Sequence, residues 1–363
     1  MAQKMNGLSR DLIIHPGETL QEILQDKCMS QKELAIRSGV TEKHVSTIIN
    51  GTKSISVAYA KKLEYALGID ASFWINLQGI YDKELMDFEE FNNISENELS
   101  IVKTLKPIIE FLSHIGRINS IDRDEFLVLD LRRILGVSNL TTITDMTYNA
   151  AYRAQIAASA DVYVLFAWQK ICEILTENIL IENELDLNKL KSKLPVIKNL
   201  MFSNVKTIRK ELQSIFSECG IAFEIVKHFT GAPVQGFIKK TEDDKIIMCM
   251  TLRGGFADRF WFTLFHEIAH ILNNDVKQKF IDFNSVNSKV EEAANKFSNE
   301  ILINPKDYEN FIKNKNFSLE SINKFAKEQK VRNFIVIGRL QHDGIIAWQK
   351  YSNEKVIYKW INK

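Results

Sequence analysis

The feature that most constrains this chain is the apolar segment from Arg259 to Leu272, which carries the pattern His-Glu-x-x-His. His266 and His270 are four residues apart, so in an α-helix their rings lie on one face, one turn above the other. Both imidazoles can then reach a single metal ion, and Glu267 lies beside them, placed to hold a water molecule. The combination predicts a Zn²⁺ site with Glu267 as general base, which is the arrangement of zinc-dependent peptidases.

The residues around this motif favour a buried helix. Apolar side chains occur on nearly all sides of it, and neither glycine nor proline interrupts the segment. The alternative interpretation is an ordinary core helix whose histidines are satisfied by hydrogen bonds. Histidine is scarce, with seven in 363 residues, so two at this spacing with a glutamate between them favour the metal site.

Length, composition and charge limit the class of protein. A chain of 363 residues predicts two or three domains, and 45% hydrophobic with 26% charged residues is typical of a soluble globular protein. No apolar run reaches the length of about 18 residues that a transmembrane helix requires, so no membrane partner is expected. The four cysteines are scattered, which favours free thiols in a reducing cytoplasm. A net charge of +1 excludes a global attraction to nucleic acid.

Residues 15–69 carry a dense helical pattern. Helices are predicted to begin near Pro16, after Ser30 and after Thr41, the last two residues acting as N-caps. A fourth helix is predicted from about residue 56 to 67, followed by a glycine. Two short helices joined by a tight glycine turn, inside a small bundle, are typical of the helix-turn-helix motif.

The segment MSQKELAIRSGVTEKHVSTIINGTKSIS resembles the helix-turn-helix of the XRE, or phage-repressor-like, family. HPGETLQEILQDKCMSQKEL and ALGIDASFWINLQ are similar to the HigA antitoxin branch of that family. The resemblance implies that the helix after Thr41 lies in the major groove of a double-stranded DNA operator. The implied DNA contacts are Gln31, Thr41, Glu42, Lys43, His44, Thr47, Asn50 and Lys53, with Gln31, Asn50 and Lys53 at phosphates. A homodimer is expected because operators of this class are two-fold symmetric.

Charge sets a limit on this DNA interface. Residues 1–70 hold nine Lys or Arg and eight Asp or Glu, and Glu42 at a base-contacting position also repels the DNA backbone. Non-specific affinity is therefore expected to be weak and strongly reduced by salt. The alternative is a helix-turn-helix kept for dimerisation or for contact with a partner.

The predicted domains are a helix-turn-helix domain over residues 1–92, a helical linker or spacer over 93–200, and a C-terminal domain over 201–363. The middle region includes a long predicted helix from Asn149 to Thr176, with Tyr152, Arg153 and Trp168 interpreted as packing residues. The expected fold class is mainly α with an α+β, zincin-like C-terminal domain. Its small sheet is predicted from strands at 221–226, 236–238 and 245–250, after a helix over 205–219.

A third metal ligand is predicted downstream, in the helical segment VEEAANKFSNEILI. Glu291 is favoured because it shares a helix face with Ala294 and Asn295, and Asn295 can then hydrogen-bond a ligating imidazole. Glu292 is the competing ligand. Two histidines and one glutamate leave a fourth position for water, which zinc catalysis requires.

FWFTLFHEIAHIL followed by VEEAANKFSNEILINP is similar to the ImmA/IrrE family of metallopeptidase-like proteins. The resemblance runs from about Lys206 to Pro305 and continues weakly through IVIGRLQHDGIIAW. It implies a zinc-dependent, site-specific protease or protease-like regulator of a repressor.

In the tail, a helix is predicted over 318–330, and the apolar runs at 335–337 and 345–348 are predicted to be strand-like. Arg339 and His342 are considered as oxyanion stabilisers, with structural hydrogen bonding as the favoured role.

Two functions follow from these observations. The first is a zinc metalloendopeptidase that acts on a repressor-like protein and is joined to a DNA-binding transcriptional regulator. The second is a HigA-type antitoxin or repressor, in which the peptidase-like domain is a sensor without general protease activity. In a weaker third interpretation the chain only neutralises a toxin partner.

Overall fold

The computed structural model describes residues 9–119, 123–147, 160–181, 183–241, 245–274, 276 and 288–360. The chain forms two compact units, the first ending at Leu99 and the second beginning at Ser100. Most of the described chain is helical, and a three-stranded sheet lies in the second unit. The fold is therefore mainly α, with a helix-and-sheet arrangement toward the C-terminus, which confirms the predicted fold class.

The first unit is a bundle of short helices followed by one longer helix. The bounds are α1 Pro16–Asp26, α2 Gln31–Ser38, α3 Glu42–Ile49, α4 Val57–Leu67, α5 Ala71–Asn92 and α6 Glu96–Thr104, which crosses into the second unit. Leu20, Leu34, Ile48, Leu63 and Trp74 are fully buried between them. These apolar positions recur at helical spacing, so burial of one face per helix supplies most of the driving force for the bundle.

Polar caps determine where α2 and α3 begin. Ser30 Oγ accepts a hydrogen bond from the Glu33 N–H at 3.1 Å, and Thr41 Oγ1 accepts one from the His44 N–H at 3.2 Å. Each cap satisfies a backbone donor that the first helical turn leaves unpaired. Between the two helices Gly39 has a φ of 63°, a conformation that residues with a side chain rarely adopt. The turn of the helix-turn-helix therefore depends on these three residues.

The second unit has helices before and after its sheet. The helices are α7 Lys106–His114, α8 Asp124–Leu135, α9 Ile143–Thr147, α10 Val162–Glu177, α11 Leu187–Asn199, α12 Val205–Glu218, α13 Ala257–Leu272, α14 Ser288–Leu302, α15 Pro305–Lys313, α16 Leu319–Glu328 and α17 Asn333–His342. The strands are β1 Ile221–Val226, β2 Gly236–Lys240 and β3 Ile246–Thr251. All three predicted strands are present, and β2 is longer than expected.

The strand order of the sheet is β1-β3-β2, with β3 parallel to β1 and antiparallel to β2. Strands β1 and β3 are buried along their whole length, which accounts for their nearly continuous apolar sequences. Strand β2 lies at the edge and is only half-buried. The sheet therefore presents β2 as its more accessible strand.

Helix α13, which carries the His-Glu-x-x-His motif, lies in the middle of the core of the second unit. Trp261, Leu264, Phe265 and Ile268 are fully buried, and the helix contacts α14, α17 and strands β2 and β3. An apolar helix of this kind is stable only when other elements surround it. The prediction of a buried helix is confirmed.

The prediction of strand-like runs in the tail is wrong. Ile335, Val336 and Ile337 lie in helix α17, and residues 345–348 form no strand. Three consecutive β-branched residues suggested a strand, but Phe334, Ile337 and Leu340 repeat every three residues, and all three are buried. Packing against neighbouring helices therefore outweighs the β preference of the individual residues.

Part of the long helix predicted from Asn149 to Thr176 lies outside the described residues, including Tyr152 and Arg153. Its described part is α10, in which Trp168 is fully buried and which contacts β1 and β3. This helix therefore packs on the sheet of the same unit. No described helix combines the length and the apolar character needed to cross a lipid bilayer.

A tight contact between α1 and α3 provides a test of the first unit. At Gly17 an added Cβ would lie 2.9 Å from both His15 Nδ1 and the Ile48 carbonyl carbon, and closer still to the Ile48 carbonyl oxygen. Gly17→Ala should therefore lower the free energy of unfolding by about 1–3 kcal/mol through overpacking. The measurement is urea denaturation of the full chain, followed by hydrogen exchange in α1.

The matched control is Gly79→Ala in α5, where an added Cβ meets no atom within 4 Å. Because alanine stabilises a helix interior relative to glycine, this variant should gain about 0.5–1 kcal/mol. Equal stability of the two variants would contradict the described approach of α1 to α3.

Candidate metal centre and nucleic-acid interface

Three side chains from α13 and α14 converge on one point. His266 Nε2 lies 2.9 Å from His270 Nε2 and 3.1 Å from Glu291 Oε2, and His270 Nε2 lies 3.6 Å from Glu291 Oε1. The candidate ligand atoms all lie within 4.8 Å of one another. Within the described ranges this is the one group of three or more His, Cys, Asp or Glu side chains close enough to hold a metal ion.

Helix periodicity explains why these residues meet. His266 and His270 project from one face of α13, and α14 packs against that helix. On α14 the residues Ala294 and Ser298 are fully buried. Glu291 lies on the same side as Ala294, one turn earlier, and reaches the imidazoles, whereas Glu292 is exposed. The structure therefore brings Glu291, and not Glu292, to the two rings.

The titration behaviour of the group reflects this proximity. Burial alone would lower the pKa of His266, but the hydrogen bond with Glu291 and the negative charges of Glu267 and Glu291 raise it above its ordinary value. The same hydrogen bond lowers the pKa of Glu291 against the effect of burial, and the charge of His270 adds to this. The Glu291 carboxylate thus stabilises a positive charge on the imidazole rings. A bound cation would place a positive charge at the same position.

The second ring nitrogen of His266 has a partner of its own. His266 Nδ1 lies 3.0 Å from Asn295 Oδ1, which is the contact expected from the position of Asn295 on α14. Because an amide oxygen can only accept, the geometry assigns a proton to Nδ1, and Nε2 is the nitrogen that faces His270 and Glu291 and would bind a metal ion. The ring is therefore oriented as a ligand requires.

The Glu267 side chain lies close to the sheet at Gly236, a residue that the sequence analysis did not identify. An added Cβ at Gly236, the first residue of β2, would lie 2.6 Å from both Cγ and Cδ of Glu267. A side chain at position 236 would therefore displace this carboxylic acid group from its present position. One signal in the sequence could have revealed this contact: Gly236 begins a predicted strand, and glycine in a strand marks a bulge or a close approach to the backbone.

Arg339 and His342 lie outside the histidine and glutamate group. Arg339 Nε donates to Asp343 Oδ2 at 2.7 Å, and its guanidinium group lies over the Tyr308 ring at 4.8 Å. The His342 side chain is 80% exposed and lies 3.1 Å from Asp343 Oδ1. Both residues therefore make the structural hydrogen bonds favoured from the sequence.

On the helix-turn-helix, several predicted DNA contacts are accessible. Thr41, Glu42, Lys43, Asn50 and Lys53 are exposed. The remaining three, Gln31, His44 and Thr47, are half-buried. Thr47 Oγ1 donates to the His44 carbonyl oxygen at 2.8 Å, so its methyl group and the remaining acceptor capacity of its oxygen are left for an external contact.

His44 is engaged within the domain. Its ring packs edge-on against Tyr59 with centroids 4.9 Å apart, and Nδ1 lies 3.1 Å from Lys53 Nζ. Burial, followed by the charges of Lys53 and Lys62, lowers the pKa of His44. The ring is therefore neutral near pH 7, and it accepts a hydrogen bond from Lys53 rather than adding a positive charge to this surface.

The described geometry agrees with comparisons to known proteins. Residues 20–74 match the family described as helix-turn-helix, and residues 257–340 match the family described as the IrrE N-terminal-like domain, a peptidase family. No curated protein matches the chain.

Solved structures also match part of the chain. An antidote protein of a plasmid maintenance system from Nostoc punctiforme is 37% identical, with a TM-score of 0.20, over 21% of this chain and 87% of its own. A HigA-family addiction module antidote protein from Coxiella burnetii is 31% identical, with a TM-score of 0.19, over 27% and 90%. Antitoxin GraA is 28% identical, with a TM-score of 0.21, over 23% and 95%.

The two family matches lie on the two features built up above: the capped α2–α3 pair and the α13–α14–α17 group. The helix-turn-helix match lies in the first compact unit, and the IrrE N-terminal-like match lies in the second. The chain therefore joins an XRE-type helix-turn-helix domain in its first unit to an IrrE N-terminal-like domain of the peptidase family in its second.

Proposed function

We propose that this protein is a DNA-binding transcriptional regulator whose second unit is a zinc-dependent metalloendopeptidase that cleaves a repressor or other partner protein. The observation that carries the proposal is the convergence of His266, His270 and Glu291 beside Glu267. Such a protein would act as a homodimer on a two-fold symmetric operator, in a stress, mobile-element or defence response.

The donor set suits Zn²⁺, which prefers imidazole nitrogen and carboxylate oxygen and, in catalytic sites, three protein ligands with one open position. When bound, zinc supplies a Lewis acid that polarises the scissile carbonyl and lowers the pKa of a water molecule. With a metal held by His266, His270 and Glu291, the Glu267 carboxylate would accept a proton from the attacking water and pass it to the leaving amine. Asn295 keeps the His266 ring in position, and the edge strand β2 is suited to pair with an extended peptide.

A second candidate function is a HigA-type antitoxin or repressor whose peptidase-like domain senses a signal without general protease activity. The helix-turn-helix match and the HigA-like segments at residues 15–34 and 66–78 favour it. In this case the protein partner is a toxin, and operator binding is the principal activity. The following experiments separate the two functions.

Zinc binding is the first test. Purified wild-type protein and Glu292→Ala should each hold one zinc ion per chain, and His270→Ala should hold none. Because zinc needs an unprotonated imidazole and the pKa of His266 is raised, zinc affinity should begin to fall with decreasing pH at a higher pH than for an ordinary histidine ligand. Elemental analysis after dialysis at several pH values measures this, and full zinc occupancy in His270→Ala would refute the ligand set.

The role of Glu267 is tested by Glu267→Gln, which removes the base but keeps the shape of the side chain. The variant should retain zinc and lose at least about 100-fold in cleavage rate, the usual contribution of a general base. Cleavage is measured by mass spectrometry on a library of peptides from a digested bacterial proteome. Glu292→Gln makes the same chemical change on exposed α14 surface and should cut like wild type; equal rates in both variants would exclude Glu267 as the base.

Operator binding is tested with Lys43→Ala combined with Thr47→Ala. A binding site is first selected from random DNA duplexes with wild-type protein, and the affinity of each variant is then measured by mobility shift. Because each base contact is worth about 1–3 kcal/mol, the double variant should bind at least about tenfold more weakly. Zinc content should be unchanged, and Lys27→Ala in the turn after α1 serves as the charge-matched control. An unaltered affinity would show that α3 is not the recognition helix.

A further inference from the structure

A cavity of about 280 Å³ lies beside helix α13, next to the turns that precede the His-Glu-x-x-His motif. Asp258, Phe262 and His266 follow one another at four-residue spacing, so they lie in a row along this helix. Asp258 and Phe262 line the cavity, and so does Asn295, whose Oδ1 lies 3.0 Å from His266 Nδ1. The cavity wall thus includes the amide that contacts the first imidazole ring.

The body of the cavity is apolar. Its walls include Phe262 from α13, Leu302 from α14, Ile335 from α17 and Trp348 from the tail, with Leu302 and Ile335 buried. Trp348 is 53% exposed, so the cavity reaches the surface at this end. Since an apolar cavity of about 150 Å³ accepts benzene, a volume of about 280 Å³ is sufficient for a substituted aromatic ring.

Charges on the lining disfavour an ionic occupant. Arg259, Arg339 and Asp258 all line the cavity, and Arg339 is paired with Asp343, so the lining carries charges of both signs and favours neither a cation nor an anion. Asp258 Oδ1 is a buried acceptor for which the described part of the chain offers no hydrogen-bond donor, and its Oδ2 lies 3.9 Å from Lys355 Nζ. A buried acceptor of this kind is satisfied by a neutral donor such as a hydroxyl or an indole N–H.

Gly338 on α17 allows the carboxylate to occupy this position. An added Cβ at Gly338 would lie 2.9 Å from Asp258 Cβ and 3.0 Å from Asp258 Cγ. Both residues line the cavity, so the glycine makes room for the acceptor group at the cavity wall. The Asp258 carboxylate and the apolar walls therefore belong to the same cavity.

We infer that this cavity is the specificity pocket of the peptidase site and takes a neutral aromatic side chain that ends in a hydrogen-bond donor. The side chain would be a tyrosine or tryptophan next to the scissile bond of a peptide held at the metal centre. Its ring contacts Phe262, Leu302 and Ile335, and its hydroxyl or indole N–H donates to Asp258 Oδ1. This inference rests on the proposed peptidase function.

The first experiment reads specificity from the peptide library described above. Wild-type protein should cut with tyrosine and tryptophan enriched at a single position beside the scissile bond, above phenylalanine and well above lysine or glutamate. Asn299→Phe fills the cavity from α14 and should reduce this enrichment at least tenfold, with zinc content unchanged. Lys296→Phe places the same ring on an exposed position of α14, outside the cavity lining, and should keep the enrichment. Retained enrichment in Asn299→Phe would overturn the inference.

The second experiment needs no cleavage. Binding of N-acetyl-L-tyrosine amide to the full chain is followed by ligand-observed NMR, with the alanine, phenylalanine and lysine amides for comparison. Saturable binding should occur near millimolar concentration for tyrosine, more weakly for phenylalanine, and not for alanine or lysine. Asn299→Phe should abolish it, Trp348→Ala should weaken it severalfold, and Lys296→Phe should leave it unchanged.

The two experiments separate this inference from the function on which it rests. If the library is not cut but tyrosine amide binds as described, the aromatic pocket stands and the peptidase proposal fails. If the library is cut without any aromatic preference and tyrosine amide does not bind, the peptidase proposal stands and the pocket inference fails.

Discussion

The proposed chemistry depends on the close packing of α14 against α13. Ala294 and Ser298, one turn apart on α14, are fully buried, and their small side chains let the two helices approach closely. The same turns of α14 carry Glu291 and Asn295, so this packing delivers a carboxylate and an amide oxygen to the imidazole rings together. A larger side chain at position 294 would separate both from the histidines at once.

A single lysine fixes the other end of α14. Lys198 on α11 donates to the carbonyl oxygens of Ile301 and Leu302 at 2.9 and 3.0 Å, which satisfies acceptors that the last helical turn leaves unpaired. Burial, with a contribution from Lys330, lowers the pKa of Lys198 to about 8. The helix that supplies Glu291 is therefore held by apolar packing along its length and by a charged donor at its C-terminus.

Features that depend on local periodicity were predictable from the sequence. The caps at Ser30 and Thr41 and the shared face of Glu291 and Asn295 follow from helix geometry alone. In contrast, α17 resembled a strand because its β-branched run obeys a local preference that burial overrides. Gly236 and the cavity beside Asp258 depend on which distant segments lie against one another, and no spacing within a single segment contains that information.

The contact between Gly236 and Glu267 also bears on how chains of this kind diverge. Because a Cβ at position 236 would meet the present position of the Glu267 side chain, a relative could keep His-Glu-x-x-His intact and still displace its glutamate through one change about thirty residues upstream. An intact motif is thus an incomplete diagnostic of hydrolytic competence. The residue that opens the edge strand therefore belongs to the site as much as the motif does, although it lies outside the motif.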